Sequence, residues 1–350
     1  MPLSEQNPTD PEYSREAAPL QVSDQNSPLQ PLLFNPLIKR ICWGGTRLGD
    51  VLNKPIGSAD DYAESWELSD LPDSQSEVAC GPHAGWTLSD LRRIYREQLL
   101  GTDSPFANFP LLIKFLDIQD KLSIQVHPDD HLALQLTGGI GKTETWIILD
   151  SEPGSLLYAG LKEGVDRQQF ETALAEDRVV ECLHAIEVKA GDAIHLPAGT
   201  VHAVRGSMLL AEVQQASDLS FRLHDWHRDQ HEGLDRELHV EEALLCTNFD
   251  QGPISTIEPQ VVKTGPHTES VLIDCPHYTI RRHTSSVSMA FEQDDRFRVL
   301  VILEGTGELQ CLDFREKVER GQTWLIPACC REIHLTPQSD KLTLLDVFID

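Results

Sequence analysis

The 350-residue sequence contains no Lys/Arg cluster of any length, although it carries 56 Asp and Glu against 29 Lys and Arg. A formal net charge of −27 repels nucleic-acid phosphates and anionic lipids, so neither a nucleic acid nor a membrane is expected as a partner. No run of about 18 apolar residues occurs, which argues against a membrane-spanning helix. The N-terminal stretch from Met1 to Glu16 lacks a basic start followed by an apolar segment, so no secretory signal is expected. The eight cysteines form no C-x-x-C pair and are scattered along the chain. That pattern excludes a zinc ribbon and a disulfide scaffold, and predicts reduced thiols in a cytoplasmic protein.

What is present is a globular composition. Apolar residues make up 40% of the chain, enough for hydrophobic cores, and the length permits two or three domains at roughly 100–200 residues each. Residues 1 to about 30 are rich in Pro, Ser, Gln, Asn and acid and predict a disordered tail. Structure is expected to begin near Leu32. Helical spacing predicts a helix over Leu88–Leu100, with Thr87 as cap and Gly101 beyond its end. Further helices are predicted near Asp166–Ala175 and Glu237–Leu245. Most of the remainder reads as short strands bounded by Gly, Pro and Asp. Examples are Leu122–Val126, Trp146–Leu149, Ala193–Leu196, Leu209–Val213, Val299–Leu303 and Thr323–Ile326. The pattern predicts a mainly β protein built as a barrel or sandwich.

One unit recurs. The segment from Gly191 to Ala198 matches that from Gly321 to Ala328, and Ile147–Asp150 resembles Val301–Glu304. The copies are chemically unequal. Five residues beyond the proline the first has His202 and the second Glu332, and the counterpart of Glu144 is Arg298. Any metal ligands in the first copy are therefore missing from the second, which then serves a structural or interface role.

The densest polar stretch runs from Leu122 to Pro128. Alternation along a strand puts Ser123, Gln125 and His127 on one face and Leu122, Ile124 and Val126 on the other. Lys142, Glu144 and Trp146 share a face of the next strand, and His202 heads another after a Pro-Ala-Gly turn. Two imidazoles, a carboxylate and an amide oxygen suit a divalent ion of zinc type with a position left open. Spacing alone leaves this reading and a set of satisfied core polar groups both open. Downstream, Glu212 and Gln214 share a strand face and Arg222 follows a polar turn. A carboxylate and a guanidinium there suit acid–base chemistry and anion recognition, or a structural ion pair. The segment Leu136–Thr143 resembles the end of a phosphate-binding loop, but Leu136 stands where that motif needs Gly and a strand-like stretch follows. His224, His227 and His231 stand at helical spacing, so a second metal site is conceivable, although the local sequence reads as strand then turn.

Together these motifs make the chain similar to type I mannose-6-phosphate isomerases of the shorter bacterial class. The resemblance rests on Ile41–Leu48 with its Trp43-Gly44-Gly45, on Glu64–Glu67 and Lys114–Asp117, and on Leu122–Asp130. It continues through Gly141–Glu144, Gly191-Asp192, Leu196–His202, Glu212-Val-Gln-Gln, Ser217-Asp218 and Arg222. These segments follow the family's order from about residue 31 to 255, and the rest matches more loosely. The resemblance implies two cupin (jelly-roll) domains with a few helices inserted in the N-terminal half: a catalytic domain over 31–255 and a degenerate one over 256–350. It implies interconversion of D-mannose 6-phosphate and D-fructose 6-phosphate with one Zn2+ per chain. Carried over by position, Gln125, His127, Glu144 and His202 are the metal ligands, with the two histidines and the glutamate the usual set. Arg222 matches the catalytic arginine, and Ser123, Lys142 and Glu212 match residues lining the site. The sugar phosphate would be bound by Ser123, Lys142 and Arg222, with Glu212 as proton shuttle, a role for which Lys142 or a metal-bound water are rivals. The sequence departs from the family at His224 and His227, close to the site mouth. A cupin oxygenase holding iron and a sugar-binding cupin without catalysis are the competing readings.

Overall fold

The computed structural model describes residues 28–227, 236–291 and 294–349. Of the tail predicted over 1–30, residues 1–27 lie outside the described residues, as does His231; order begins earlier than expected, with Leu29 buried and its N–H donating to Gln98 Oε1 at 2.9 Å. The chain is mainly β, and its strands stack in layers. A six-stranded antiparallel sheet runs in the order Ala193–Leu196, Glu144–Ser151, Met208–Gln215, Leu111–Ile118, Tyr62–Leu68 and Leu37–Gly45. A five-stranded sheet is ordered Leu183–Ile186, Leu156–Leu161, His202–Arg205, Ile124–Val126 and Phe221–His224. An eight-stranded sheet and a four-stranded sheet form the C-terminal layers.

Strand alternation assigns each side chain to a layer. Leu116, Trp146, Ile148 and Leu210 of the six-stranded sheet pack with Leu122, Leu157 and Val204 in one core. On the opposite face Ile113, Phe115, Ile147, Leu209 and Val213 pack with Val299, Val301, Leu345 and Val347 of the eight-stranded sheet in a second core. Leu300, Ile302, Leu344, Leu309 and Leu335 fill a third between the eight- and four-stranded sheets. The outer face of the five-stranded sheet, through Ile124, Val126, Ala203, Phe221 and Leu223, packs on Phe170, Ala173 and Ala243 of helices. A helix thus covers the sheet face that would otherwise meet water.

The predicted helix spans Leu88–Leu100, with Thr87 accepting from the Asp90 N–H in a capping box. The helix over Arg167–Ala175 is capped by Asp166, and the third covers Val240–Cys246. Both repeat strands, Ala193–Leu196 and Thr323–Ile326, follow a glycine at positive φ, Gly191 at 93° and Gly321 at 87°. Only glycine takes that turn without strain. A helix over Asp130–Thr137 was not foreseen. It stands just before the Gly141-Lys142-Thr143 stretch, and a strand rather than a helix follows, so no phosphate-binding loop is formed. No helix among the described residues is long and apolar enough to cross a membrane.

The first strand, Leu32–Asn35, pairs with Thr323–Ile326, so it joins the eight-stranded sheet of the C-terminal half. A polar link between halves comes from Thr145, whose Oγ1 lies 2.9 Å from His195 Nδ1 and 3.1 Å from the Tyr278 hydroxyl. Burial pushes His195 down to about 4. Burial, aided by neighbouring His267, pushes His283 down to about 3. Unfolded, both titrate near about 6.5. Below that pH the unfolded chain takes up protons that the folded one refuses, so stability present above about 6.5 is lost as pH falls toward the folded values. At pH 5 each group is expected to cost roughly 2 kcal/mol. Thermal melts at pH 7 and pH 5 test this, and an equal Tm at both would refute it.

Candidate active site

The same alternation that buries Ile113, Ile147, Leu209 and Val213 on one face turns Lys114, Trp146 and Glu212 to the other, between the six- and five-stranded sheets. From the facing sheet, Gln125, His202 and Arg222 alternate with outer-face Ile124, Val126, Ala203, Phe221 and Leu223. His202 pairs with Gln125 across the strands, and Gln125 with Arg222. Register alone therefore lines up three of the predicted residues.

His127, Glu144 and His202 are buried, with ligand atoms all within 4.8 Å of one another. Glu144 Oε2 lies 3.6 Å from His127 Nε2, and Oε1 lies 3.3 Å from His202 Nε2. The far side of each ring is tied to the backbone: His127 Nδ1 to the Leu219 carbonyl at 3.0 Å, and His202 Nδ1 to that of Thr200 at 2.9 Å. A carbonyl can only accept, so each Nδ1 carries the proton and each Nε2 keeps its lone pair. Burial lowers both histidines, His127 strongly and with help from the Lys142 charge. They are neutral, as metal ligation requires. Burial works against the Glu144 charge, but the Lys142 ammonium beside it outweighs that and brings the carboxyl down to about 2. Neither Glu144 oxygen has a hydrogen-bonding partner of good geometry. Two lone pairs and an under-satisfied buried carboxylate converge on one point, a donor set that fits a divalent ion with N and O ligands. Lys142 Nζ, 2.8 Å from Glu144 Oε2 and 3.2 Å from His127 Nε2, shows that this hollow draws positive charge.

The fourth predicted ligand, Gln125, presents its amide nitrogen 3.2 Å from His202 Nε2, while its oxygen accepts from Ser123 Oγ at 3.3 Å. A half-turn of the amide exchanges the two atoms. Glu212 is buried beside the group. Its Oε1 accepts from Trp146 Nε1 at 2.9 Å, and Lys142 Nζ lies 3.8 Å from it. Arg222, Lys142, Glu212, Ser123 and Gln125 all line one cavity of about 480 Å³. Arg222 Nε is buried there without a hydrogen-bond partner. Five of the eight predicted residues therefore line this cavity, and Lys142 and Gln125 join it to the other three, His127, Glu144 and His202.

Sequence reasoning assigned no role to Lys114. Its Nζ stands 3.4 Å from Glu212, 3.6 Å from Asp218 and 3.7 Å from Glu64, and 4.6 Å over the Trp66 ring. Burial opposes its charge, but Glu212 and Glu64 more than compensate and raise its pKa. The signal was available: a lone cation at the centre of Leu111–Ile118, a strand buried at every position. Such a residue is retained only with partners. Trp43, Glu64 and Trp66 also line the cavity. They reach it from the Leu37–Gly45 and Tyr62–Leu68 strands, the outer pair of the six-stranded sheet.

Comparison with known proteins gives the family. Residues 32–142 match the family profile "Phosphomannose isomerase type I, catalytic domain". The chain is 32% identical over 303 residues to the mannose-6-phosphate isomerase ManA of Bacillus subtilis (strain 168), covering 85% of this chain and 93% of that one. It is 30% identical over 298 residues to the mannose-6-phosphate isomerase of Streptococcus mutans serotype c, covering 85% and 92%. The crystal structure of the Bacillus subtilis mannose 6-phosphate isomerase superimposes with a TM-score of 0.84 at 28% identity, over 92% of this chain and all of that one. With relatives at 30% identity or more aligned over nearly their whole length, the chain belongs to the type I phosphomannose isomerase family.

Proposed function

We propose that the protein is an aldose–ketose isomerase that interconverts D-mannose 6-phosphate and D-fructose 6-phosphate in the cytoplasm, with one Zn2+ per chain held by His127, Glu144 and His202. The observation that carries this reading is the buried His127–Glu144–His202 group beside a cavity lined by Lys142, Glu212 and Arg222, with Lys142 Nζ 2.8 Å from Glu144 joining the two. When bound, the ion would polarise the sugar oxygens and lower the cost of developing negative charge. The protein's own groups supply the rest. Isomerisation moves a proton between C1 and C2 through an enediol, and the carbon acid is weak, so a base must stand within reach. Glu212 is the candidate shuttle, oriented by the indole N–H of Trp146. Lys142 and Arg222 offset charge on the enediolate or the phosphate, and Ser123 lines the sugar side. A phosphorylated substrate approaches a chain of net charge −27. The cavity answers with Lys39, Lys114, Lys142 and Arg222 on its walls.

Residues 31–255 form the catalytic unit in this reading, and 256–350 a degenerate cupin. Its Arg298 replaces the Glu144 counterpart and is tied to Asp346 at 2.6 Å. The Leu32–Asn35 strand would fasten the two units together.

Mannose-6-phosphate turnover, measured before and after chelation and zinc add-back, tests the assignment. Activity is expected to vanish with the metal and return with it. A zinc-loaded protein without turnover would favour a sugar-binding cupin. The role of Glu212 has its own check. Trp146→Phe removes a hydrogen bond to a buried carboxylate worth about 1.5–3 kcal/mol, and kcat should fall about tenfold or more with KM little changed. An unchanged kcat would remove Glu212 from the chemistry.

A further inference from the structure

A second three-residue donor group stands on the outer side of the five-stranded sheet, apart from the buried site. Asp177 lies in the loop beyond helix Arg167–Ala175. Its carboxylate takes one imidazole on each oxygen: His224 Nε2 at 2.9 Å from Oδ1, and His227 Nε2 at 2.7 Å from Oδ2. The three ligand atoms lie within 4.8 Å of one another. His224 ends the Phe221–His224 strand. Its ring faces that of His227 at 5.0 Å and nearly perpendicular.

The backbone is shaped for this convergence. Asp177, Trp226 and His227 have φ of 59°, 57° and 58°, a region that non-glycine residues seldom adopt. The successive left-handed residues Trp226 and His227 turn the chain back, so that His227 reaches the carboxylate already met by His224. Glu171, Asp225 and Arg236 line the adjoining cavity with the three donors, Arg236 standing 3.6 Å from Asp225, and the flanking Glu176 and Arg178 pair with each other rather than with Asp177.

We infer that Asp177, His224 and His227 form a second divalent-cation site of zinc type, with the remaining coordination positions open to water. Two imidazoles and one carboxylate are a sufficient protein donor set for zinc. Binding must displace the two protons that His224 Nε2 and His227 Nε2 now share with Asp177, each ring then keeping one proton on Nδ1. It also breaks the 3.1 Å contact in which the Trp226 N–H donates to His224 Nδ1. That contact is a single neutral hydrogen bond, a minor loss beside two metal–imidazole bonds. The other group of this kind among the described residues, His267–Glu269–His283, is a poorer candidate. Lys263 Nζ stands 2.9 Å from His267, and Arg281 already pairs with Glu269, so a dication meets positive charge there. A metal at Asp177 would clamp the strand that carries Arg222 to the loop beyond the Arg167–Ala175 helix.

The test is zinc stoichiometry on the full chain, stripped with a chelator, reloaded with zinc by equilibrium dialysis and read by elemental analysis. Two ions per wild-type chain are expected. Asp177→Asn and His227→Asn, both replacements that tolerate a left-handed backbone, should each bind one ion and keep isomerase turnover within about twofold. Glu144→Gln should also bind one. One ion per wild-type chain that is lost in Glu144→Gln overturns the second site, as does a second ion that survives both Asn variants. One ion that survives Glu144→Gln but is lost in the Asn variants would support this site while removing the metal from the buried one. A zinc-dependent rise in Tm present in Glu144→Gln and absent from the double variant Asp177→Asn/Glu144→Gln gives an independent reading.

Discussion

His202→Ala is expected to lower mannose-6-phosphate turnover by roughly 10³-fold or more and to empty the buried metal site. The imidazole is fully buried and supplies one of three donors, with its Nε2 3.3 Å from Glu144 Oε1. Metal polarisation contributes several kcal/mol at the transition state, and about 4 kcal/mol corresponds to three decades in rate. Changing even an outer partner of a metal ligand commonly costs about 10–100-fold in affinity, so removal of a ligand must cost more. His202→Gln separates the two consequences. It preserves most of the volume, so folding should hold while metal content still falls. Circular dichroism and elemental analysis on both variants, beside kcat, decide the matter. Native turnover in either variant would exclude His202 from the site.

The largest effect on stability is expected at Lys114. Its side chain is 3% exposed and faces three carboxylates, of which Glu212 is equally buried. Lys114→Met keeps the aliphatic stem and removes the charge. Glu212 then loses its main compensating cation, and breaking such a buried pair from one side costs about 3–5 kcal/mol. Urea unfolding measures this directly through the midpoint at constant m. Lys114→Arg keeps the charge and should recover most of the loss, unless its larger fork does not fit over Trp66. A loss below about 1 kcal/mol in Lys114→Met would show that the ion pairs contribute little net stability. Turnover should fall in parallel, because the carboxylate that Lys114 anchors is the candidate base.

Much of this site was legible because its signals are local. Period-two alternation in Ser123–His127 and Lys142–Trp146 selects a face without knowledge of the neighbouring strand; it fails at Leu122, which lies before the Ile124–Val126 strand and packs inward with Leu116 and Trp146 rather than with Ile124 and Val126. The Pro-Ala-Gly turn before His202 marks a strand start. The Leu88–Leu100 helix was legible for the same reason: its cap, apolar stripe and terminal glycine lie within 15 residues. Lys114 was not legible as a site residue, since its meaning depends on Glu64, Asp218 and Glu212, which strand pairing brings to it from far along the chain. The Asp130–Thr137 helix was missed because it buries only Ala133 and so shows almost no apolar stripe. Asp177 gave no signal at all. Its partnership with His224 and His227 exists only once a helix has packed on the outer face of the five-stranded sheet.

The pairing of Leu32–Asn35 with Thr323–Ile326 also has a consequence in time. Leu32 faces Leu325, 293 residues later in the chain. At a synthesis rate of about 5–20 residues per second, the first strand waits roughly 15–60 s for its partner to be made. Throughout that interval Leu32, buried in the finished protein, has no strand neighbour on that side. A nascent chain halted near residue 255 should therefore expose this strand to proteases and to chaperones, and it should become protected only after the last strands leave the ribosome.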